Sequence, residues 1–240
     1  MEMDKINNKK IFWNKKRAVV SIIILALIAA LIGGISIYWK YTNTHYTVTV
    51  YVMRHGETES NASGIVNGGG SDAALTQNGL KQLENTGKKL SNVRFDAAYC
   101  SPLGRTQASA HKVLSYNKSW DGDIQIVDGL ADIYLGKAEG KTLTDIVNEY
   151  GMSALYTGKS NDSNFKSKIS AESTYNFIKR YKKTMNNIVG SREVHNKTIL
   201  VVAHSSATYW IREATGDKNA KMLKNAEVVK LTYKNGKWYK

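Results

Sequence analysis

Residues 18–39 of this 240-residue chain form an apolar run without a charged side chain. As a helix these 22 residues extend about 33 Å, which is enough to cross a hydrocarbon core of roughly 30 Å. Residues 1–17 carry six Lys and Arg against two Asp and Glu, and positive flanks stay cytoplasmic. The sequence therefore predicts a cytoplasmic basic tail over residues 1–17 and a transmembrane signal anchor over residues 18–39. The chain after the anchor is expected to lie outside the cytoplasm.

A cleaved signal peptide and a buried soluble helix are the alternatives for this run. The apolar region of a signal peptide has about 7–15 residues and ends at small residues, whereas this run ends in Tyr38 and Trp39. A soluble helix needs a polar face, which the run lacks. A single cysteine, Cys100, is compatible with export. The expected localisation is the cell membrane, with one pass and the remaining chain outside.

The strongly basic composition does not by itself indicate a nucleic-acid partner. The formal net charge is +14, but beyond residue 40 the chain carries 27 Lys and Arg against 18 Asp and Glu, and these are scattered. No nucleic-acid motif accompanies them, so we interpret them as a solvated basic surface that favours anionic ligands. The single cysteine excludes a disulfide framework and cysteine-based metal sites. The sequence does not indicate an oligomeric state.

Beyond a polar linker over residues 40–45, one catalytic domain is predicted over residues 46–240. Strand patterns alternate with helical spacing, which is typical of an α/β fold. We expect a three-layer α/β/α sandwich with a mostly parallel central sheet. Strands are predicted over residues 46–53, 95–100, 124–127 and 198–203, helices over residues 102–115, 143–150 and 171–189, and a closing hairpin around Asn235-Gly236.

Three of the predicted strands end in reactive side chains. The first ends in Arg54 and His55, the second leads through Ser101 to Arg105, and the fourth ends in His204. Parallel strands bring such ends to one edge of a sheet, where α/β folds bind ligands. Arginine binds phosphate oxygens bidentately, and a neutral imidazole can attack phosphorus. The pattern predicts a site for a phosphoryl group.

The order and spacing of several motifs resemble the histidine phosphatase superfamily, also called the phosphoglycerate mutase-like family. The resemblance covers roughly residues 46–235. Its motifs are Arg54-His55-Gly56-Glu57-Thr58, Asn61, Leu75-Thr76-x-x-Gly79-x-x-Gln82, Ser101-Pro102-Leu103-x-Arg105-Thr106, Leu130-x-Asp132-Ile133-x-x-Gly136-x-x-Glu139-Gly140, Glu172-Ser173 and the strand that ends in His204.

The resemblance implies a role for each matching residue. His55 resembles the nucleophile that becomes phosphohistidine, and Asp132 matches the general acid. Arg54 and Arg105 resemble the phosphate clamp, His204 donates a hydrogen bond to the same oxygens, and Asn61 matches a phosphate-pocket asparagine. The implied substrate is a small phosphomonoester. No metal or cofactor is implied, since Arg and His donors stabilise the transferring phosphoryl charge.

Departures from the family pattern leave alternatives open. Asp132 stands where the phosphatases usually have Glu, so Glu57 or Glu139 is an alternative acid. Ser205 replaces the glycine that usually follows the second histidine, and the loop around Gly69 has additional glycine. The expected function is an extracytoplasmic, membrane-anchored phosphatase. A phosphoglycerate mutase-like phosphoryl transferase and a catalytically weak phosphate-ligand binder are the alternatives.

Overall fold

A computed structural model of the protein describes residues 13, 17, 19–20, 22–38, 45–155 and 168–240. The chain divides into two compact units, Met1–His45 and Tyr46–Lys240. In the first unit, residues 22–38 form helix α1. Within the described residues, no helix combines the length and the apolar character that crossing a membrane requires. Residues 18, 21 and 39 of the predicted anchor lie outside the described residues, as do most of the predicted tail and linker.

The second unit is built on a mixed sheet. Its described strands are ordered β3-β2-β4-β1-β5-β6. The four strands from β3 to β1 run parallel, β5 pairs antiparallel with β1, and β6 pairs antiparallel with β5. The strand bounds are Thr47–Arg54 (β1), Ala97–Cys100 (β2), Ile124–Ile126 (β3), Thr198–Ala203 (β4), Val228–Lys234 (β5) and Lys237–Tyr239 (β6).

Helices connect the strands, and side-chain caps fix where several of them begin. Thr76 and Ser173 each accept a hydrogen bond from a first-turn N–H, as helix N-caps do. The predicted helix over residues 102–115 begins two residues later than expected, because Leu103 has an extended backbone. The helix bounds are Glu59–Ala62 (α2), Gln77–Leu90 (α3), Gly104–Leu114 (α4), Leu143–Tyr150 (α5), Thr174–Gly190 (α6) and Ala207–Thr215 (α7).

Alternate side chains of β4 are buried in two separate hydrophobic clusters. Ile199 and Val201 join a cluster with side chains of α6 and α7, whereas Leu200 and Val202 join one with α3 and α4. Successive strand side chains point to opposite faces, so the helices cover both faces of the sheet. The predicted α/β fold is thereby confirmed, with a mixed sheet in which four parallel strands are followed by two antiparallel strands at one edge.

The register of the parallel strands determines where the reactive side chains meet. Arg54 at the end of β1 pairs with Ala203 at the end of β4, and the His55 N–H donates to the Ala203 carbonyl at 3.0 Å. His55 and His204 therefore follow neighbouring strands at the same level. The turn after His55 also lies against α3, since a Cβ added at Gly79 would be only 2.1 Å from the Glu57 carbonyl oxygen.

Candidate active site

His55 lies almost fully buried at the carboxyl end of β1, with its ring held by a backbone contact. Its Nδ1 is 2.7 Å from the carbonyl oxygen of Gly56. A carbonyl can only accept a hydrogen bond, so Nδ1 carries the proton, and Nε2 of the neutral ring keeps its lone pair. The rings of His55 and His204 lie edge to face, with centroids 5.4 Å apart. The geometry leaves Nε2 of His55 available as a nucleophile.

Burial and neighbouring positive charge keep both histidines neutral. Burial, followed by His204, Arg105 and Arg54, lowers the pKa of His55 to about 3. Burial, followed by the same two arginines, holds the pKa of His204 well below its usual value. Desolvation disfavours the charged form of an imidazole, and a nearby cation disfavours it further. A neutral imidazole is the form that can attack an electrophile.

Arg105 connects the start of α4 to the loop of residues 68–72, called the glycine loop below. Its side chain is only 1% exposed. Its Nη1 donates to the Ser71 carbonyl at 2.7 Å and to Asp72 Oδ1 at 3.0 Å. Its Nη2 donates to the Gly68 carbonyl at 2.9 Å. Buried charges are stable only when they are paired and hydrogen-bonded, which these contacts provide.

Asp132 connects this arginine to the second histidine. Its Oδ2 lies 3.3 Å from Arg105 Nη2 and 3.4 Å from His204 Nδ1. Its Oδ1 accepts hydrogen bonds from the Ser206 hydroxyl and, at 2.9 Å, from the Ile133 N–H. These contacts fix both carboxyl oxygens of a side chain that is one methylene shorter than Glu.

The opposite edge of the His204 ring contacts a buried hydroxyl. Its Nε2 is 2.8 Å from Ser101 Oγ. Ser101 follows β2, and its N–H donates to the Val202 carbonyl at 3.1 Å. Both nitrogens of His204 therefore have partners, whereas no hydrogen bond to Nε2 of His55 comes from the residues that the structure describes.

Arg54 and Asn61 lie on the other side of His55. Arg54 Nη1 donates to the Leu223 carbonyl at 2.9 Å. Asn61 Oδ1 accepts from Asn225 Nδ2 at 3.0 Å, and Asn225 also donates to the His55 carbonyl at 3.3 Å. The structure thus brings His55, Arg54, Arg105, His204 and Asp132 together, and Asn225 connects Asn61 to the backbone of His55.

The two alternative acids, Glu57 and Glu139, form hydrogen bonds with other groups. Glu57 accepts from Thr76 Oγ1 at 2.7 Å and from Asn78 Nδ2 at 3.0 Å, at the beginning of α3. Glu139 Oε1 accepts from the Leu135 and Gly70 N–H groups at 2.8 and 3.1 Å, which braces the glycine loop. Among the three carboxylates, Asp132 is the one that contacts the arginine and histidine of the site. Over the described ranges, no group of three or more His, Cys, Asp or Glu side chains is arranged to hold a metal ion.

Several residues that hold the side chains of the site in place were not predicted from the sequence. Ser206 binds Asp132, and Asp72 binds Arg105. Arg180 pairs with Glu172 at 2.8 Å and donates to the Asp132 carbonyl at 3.2 Å. Ser206 gave a weak signal, since it follows β4 two residues after His204. Asp72 gave none, because its loop has no periodic pattern.

Known proteins match most of this chain in sequence pattern and in fold. A family model described as the histidine phosphatase superfamily (branch 1) matches residues 50–240. Adenosylcobalamin/alpha-ribazole phosphatase of Escherichia coli (strain K12) is 30% identical over 155 residues, which cover 65% of this chain and 72% of the relative. Fructose-2,6-bisphosphatase TIGAR of Mus musculus is 38% identical over 96 residues, covering 40% of this chain and 36% of the relative, about a third of its length. A crystal structure of phosphoglycerate mutase from Bacillus anthracis str. Sterne has a TM-score of 0.72 and 26% identity, and the match covers 82% of this chain and 92% of that one.

Acidification is expected to destabilise the fold through His55. The pKa of this histidine is about 3 in the folded state and near 6.5 when unfolded, so between these values the unfolded state binds more protons. Its stabilising effect is complete above pH 6.5 and is lost as the pH falls. Lowering the pH from 7 to 5 should reduce the free energy of unfolding by on the order of 2 kcal/mol through this group.

Urea denaturation at the two pH values measures this effect. In His55→Asn the loss on acidification should be smaller by that amount, whereas the exposed-histidine variant His111→Asn should behave like the parent protein. Equal losses in the parent protein and in His55→Asn would contradict the buried neutral state.

Proposed function

Because the chain belongs to the histidine phosphatase superfamily, we propose that it hydrolyses phosphomonoesters through a phosphohistidine formed on His55. Family membership confirms the resemblance that the motifs from Arg54 to His204 predicted. The observation that carries the proposal is the buried, neutral His55, whose Nδ1–H donates to the Gly56 carbonyl and leaves the lone pair on Nε2. It lies beside the half-buried Arg54, the buried Arg105 and a second histidine. That arrangement supplies both a nucleophile and the charge that a phosphoryl group requires.

The proposed reaction has two steps, and in each of them one bond to phosphorus forms while another breaks. Nε2 of His55 attacks the phosphorus atom, the P–N bond forms, and the ester P–O bond breaks to release the alcohol. Water then attacks the phosphohistidine, the P–N bond breaks, and inorganic phosphate leaves. The Nδ1–H···O=C bond to Gly56 holds the ring orientation through both steps, because Nδ1 takes no part in them.

The arginines supply the charge that stabilises the transferring phosphoryl group. In each of Arg54 and Arg105 the buried Nε–H has no hydrogen-bond partner among the described residues. A buried donor without a partner is costly, and an anionic oxygen would satisfy it. These donors support a mechanism that draws on guanidinium and imidazole groups and requires no metal ion.

Asp132 is proposed as the general acid that protonates the leaving oxygen and then as the base that activates water. Its carboxyl group lies beside Arg105 and His204, the groups that would hold the phosphoryl oxygens. Ser206 and the Ile133 N–H hold its Oδ1 in place. General acid and base roles of this kind require a positioned carboxyl group within reach of the ester.

His55→Ala should reduce phosphate release to below about 1% of the parent rate, because it removes the proposed nucleophile. The measurement is phosphate release from a panel of phosphomonoesters in EDTA, with acid-labile phosphohistidine trapped in parallel. His111→Ala is the matched control and should keep full activity. Transfer of the phosphoryl group between phosphoglycerates, with little release, would favour a mutase. Binding of phosphate esters without labelling of His55 would favour a binder.

Asp132→Asn should slow hydrolysis most for poor leaving groups. Alkyl phosphates need protonation of the departing oxygen, so their kcat should fall by about 100-fold, and that of an activated aryl phosphate by less than about tenfold. Measuring kcat against leaving-group pKa checks this expectation. Glu57→Gln and Glu139→Gln should give no such dependence on the leaving group. A leaving-group-dependent loss in either of these variants would assign the acid to that residue.

Membrane anchoring through residues 18–39, with the catalytic unit outside the cytoplasm, is also proposed. The support is the length of the uncharged run and the six basic residues that precede it. Alkaline carbonate extraction of membranes should leave the full chain in the pellet and release a chain that begins at residue 41. External protease on intact cells should cleave the full chain. A full chain that carbonate extracts, or that protease cannot reach, would overturn the anchoring or the orientation.

A further inference from the structure

A cavity of about 350 Å³ adjoins the proposed active site and shares Asp132 with it. Its wall is mostly apolar. The apolar side chains include Ile133, Leu135, Leu143, Ile146, Ile169 and Met222. Its polar lining residues are Asp132, Ser205, Ser206, Asn67 and Tyr209. A cavity of this volume accommodates a ring-sized organic group.

The cavity lies where the alcohol portion of a bound ester would extend. Asp132, the proposed acid, contacts both the cavity and the arginine and histidine of the phosphate site. On the other side, Met222 lines the cavity while the carbonyl of the next residue, Leu223, holds Arg54. A phosphoryl group on His55 and an alcohol in the cavity would thus have the acid between them.

No Lys or Arg lines this cavity among the residues that the structure describes. Nearby cations contact other groups, since Lys141 pairs with Glu149 at 2.6 Å and Lys168 donates to Ser153 at 3.3 Å. Lys221 lines a different cavity. A carboxylate or a second phosphate on the alcohol would lose part of its hydration here without a counter-ion from the described residues, which is costly.

The geometry points to a phosphomonoester of an uncharged, largely apolar alcohol or phenol as the substrate class of this enzyme. This inference rests on the proposed function, because it assigns the alcohol-binding part of the same site. Part of the cavity wall belongs to a separate small hydrophobic core, in which Ile146 of α5 packs with Ala138 and Ile169. The apolar surface is therefore a stable part of the fold.

Two esters with matched leaving groups isolate the effect of charge. 4-Propylphenyl phosphate and 4-(2-carboxyethyl)phenyl phosphate differ in the charge at the far end of the alcohol. The full chain should hydrolyse the neutral ester with a kcat/KM at least about tenfold higher, because the carboxylate has no partner in the cavity. Equal values, or a preference for the carboxylate, would overturn the inference while leaving the phosphatase activity established.

Lysine substitutions at the exposed rim of the cavity test its location. Leu143 and Met222 are 56% and 39% exposed, so Leu143→Lys and Met222→Lys should fold normally. Each should lower the preference for the neutral ester by about tenfold. Ile126→Lys, at an equally exposed apolar residue on β3, is the matched control and should leave the preference unchanged. An unchanged preference in both rim variants would overturn the location.

Binding to the His55→Ala variant separates failure of this inference from failure of the proposed function. Dissociation constants of the two esters, measured by calorimetry, do not depend on turnover. A tighter Kd for the neutral ester would support the cavity as the alcohol-binding site. If the parent chain nevertheless hydrolysed neither ester, only the phosphatase proposal would be overturned. Equal or reversed Kd values would overturn the cavity assignment.

Discussion

The buried guanidinium of Arg105 is the interaction on which the rest of the site depends. Removing a cation from water is costly, and the chain offsets this cost with the carboxylate of Asp72 and the carbonyls of Gly68 and Ser71. The same guanidinium contacts Asp132 and His204. One side chain therefore positions the glycine loop, the proposed acid and the second histidine. Losing it would leave a buried carboxylate uncompensated and would release the loop.

Arg105 also controls the charge state of the site. Its positive charge contributes to the lowered pKa of both His55 and His204, alongside burial. Inside the site, Arg105 pairs with the carboxyl groups of both Asp72 and Asp132. A phosphate dianion would bring further negative charge to the two guanidinium groups. It would also compete with Asp132 for Arg105 and His204, which would turn the carboxyl group toward the leaving oxygen.

The sequence was most informative where strands end. The apolar strand patterns before Arg54 and His204 predicted parallel neighbours, and the Asn235-Gly236 hairpin was predicted from its turn residues. Residues that hold the site from irregular segments were not predictable. Asp72 reaches Arg105 from a loop without periodicity, 33 residues away in the chain. Such contacts depend on the tertiary path of the loop, which neither spacing nor propensity encodes.

The two ends of the proposed substrate would be recognised by different parts of the fold. The phosphoryl group would contact side chains that the strand register positions at the sheet edge, beginning with the pairing of Arg54 and Ala203. The alcohol would contact side chains of α5 and of the loops around it, whose small core is separate from the two main clusters. Changes in that small core alter the cavity without moving the register of β1 and β4. Because Asp132 borders both parts, its position couples the choice of alcohol to the transfer of the phosphoryl group.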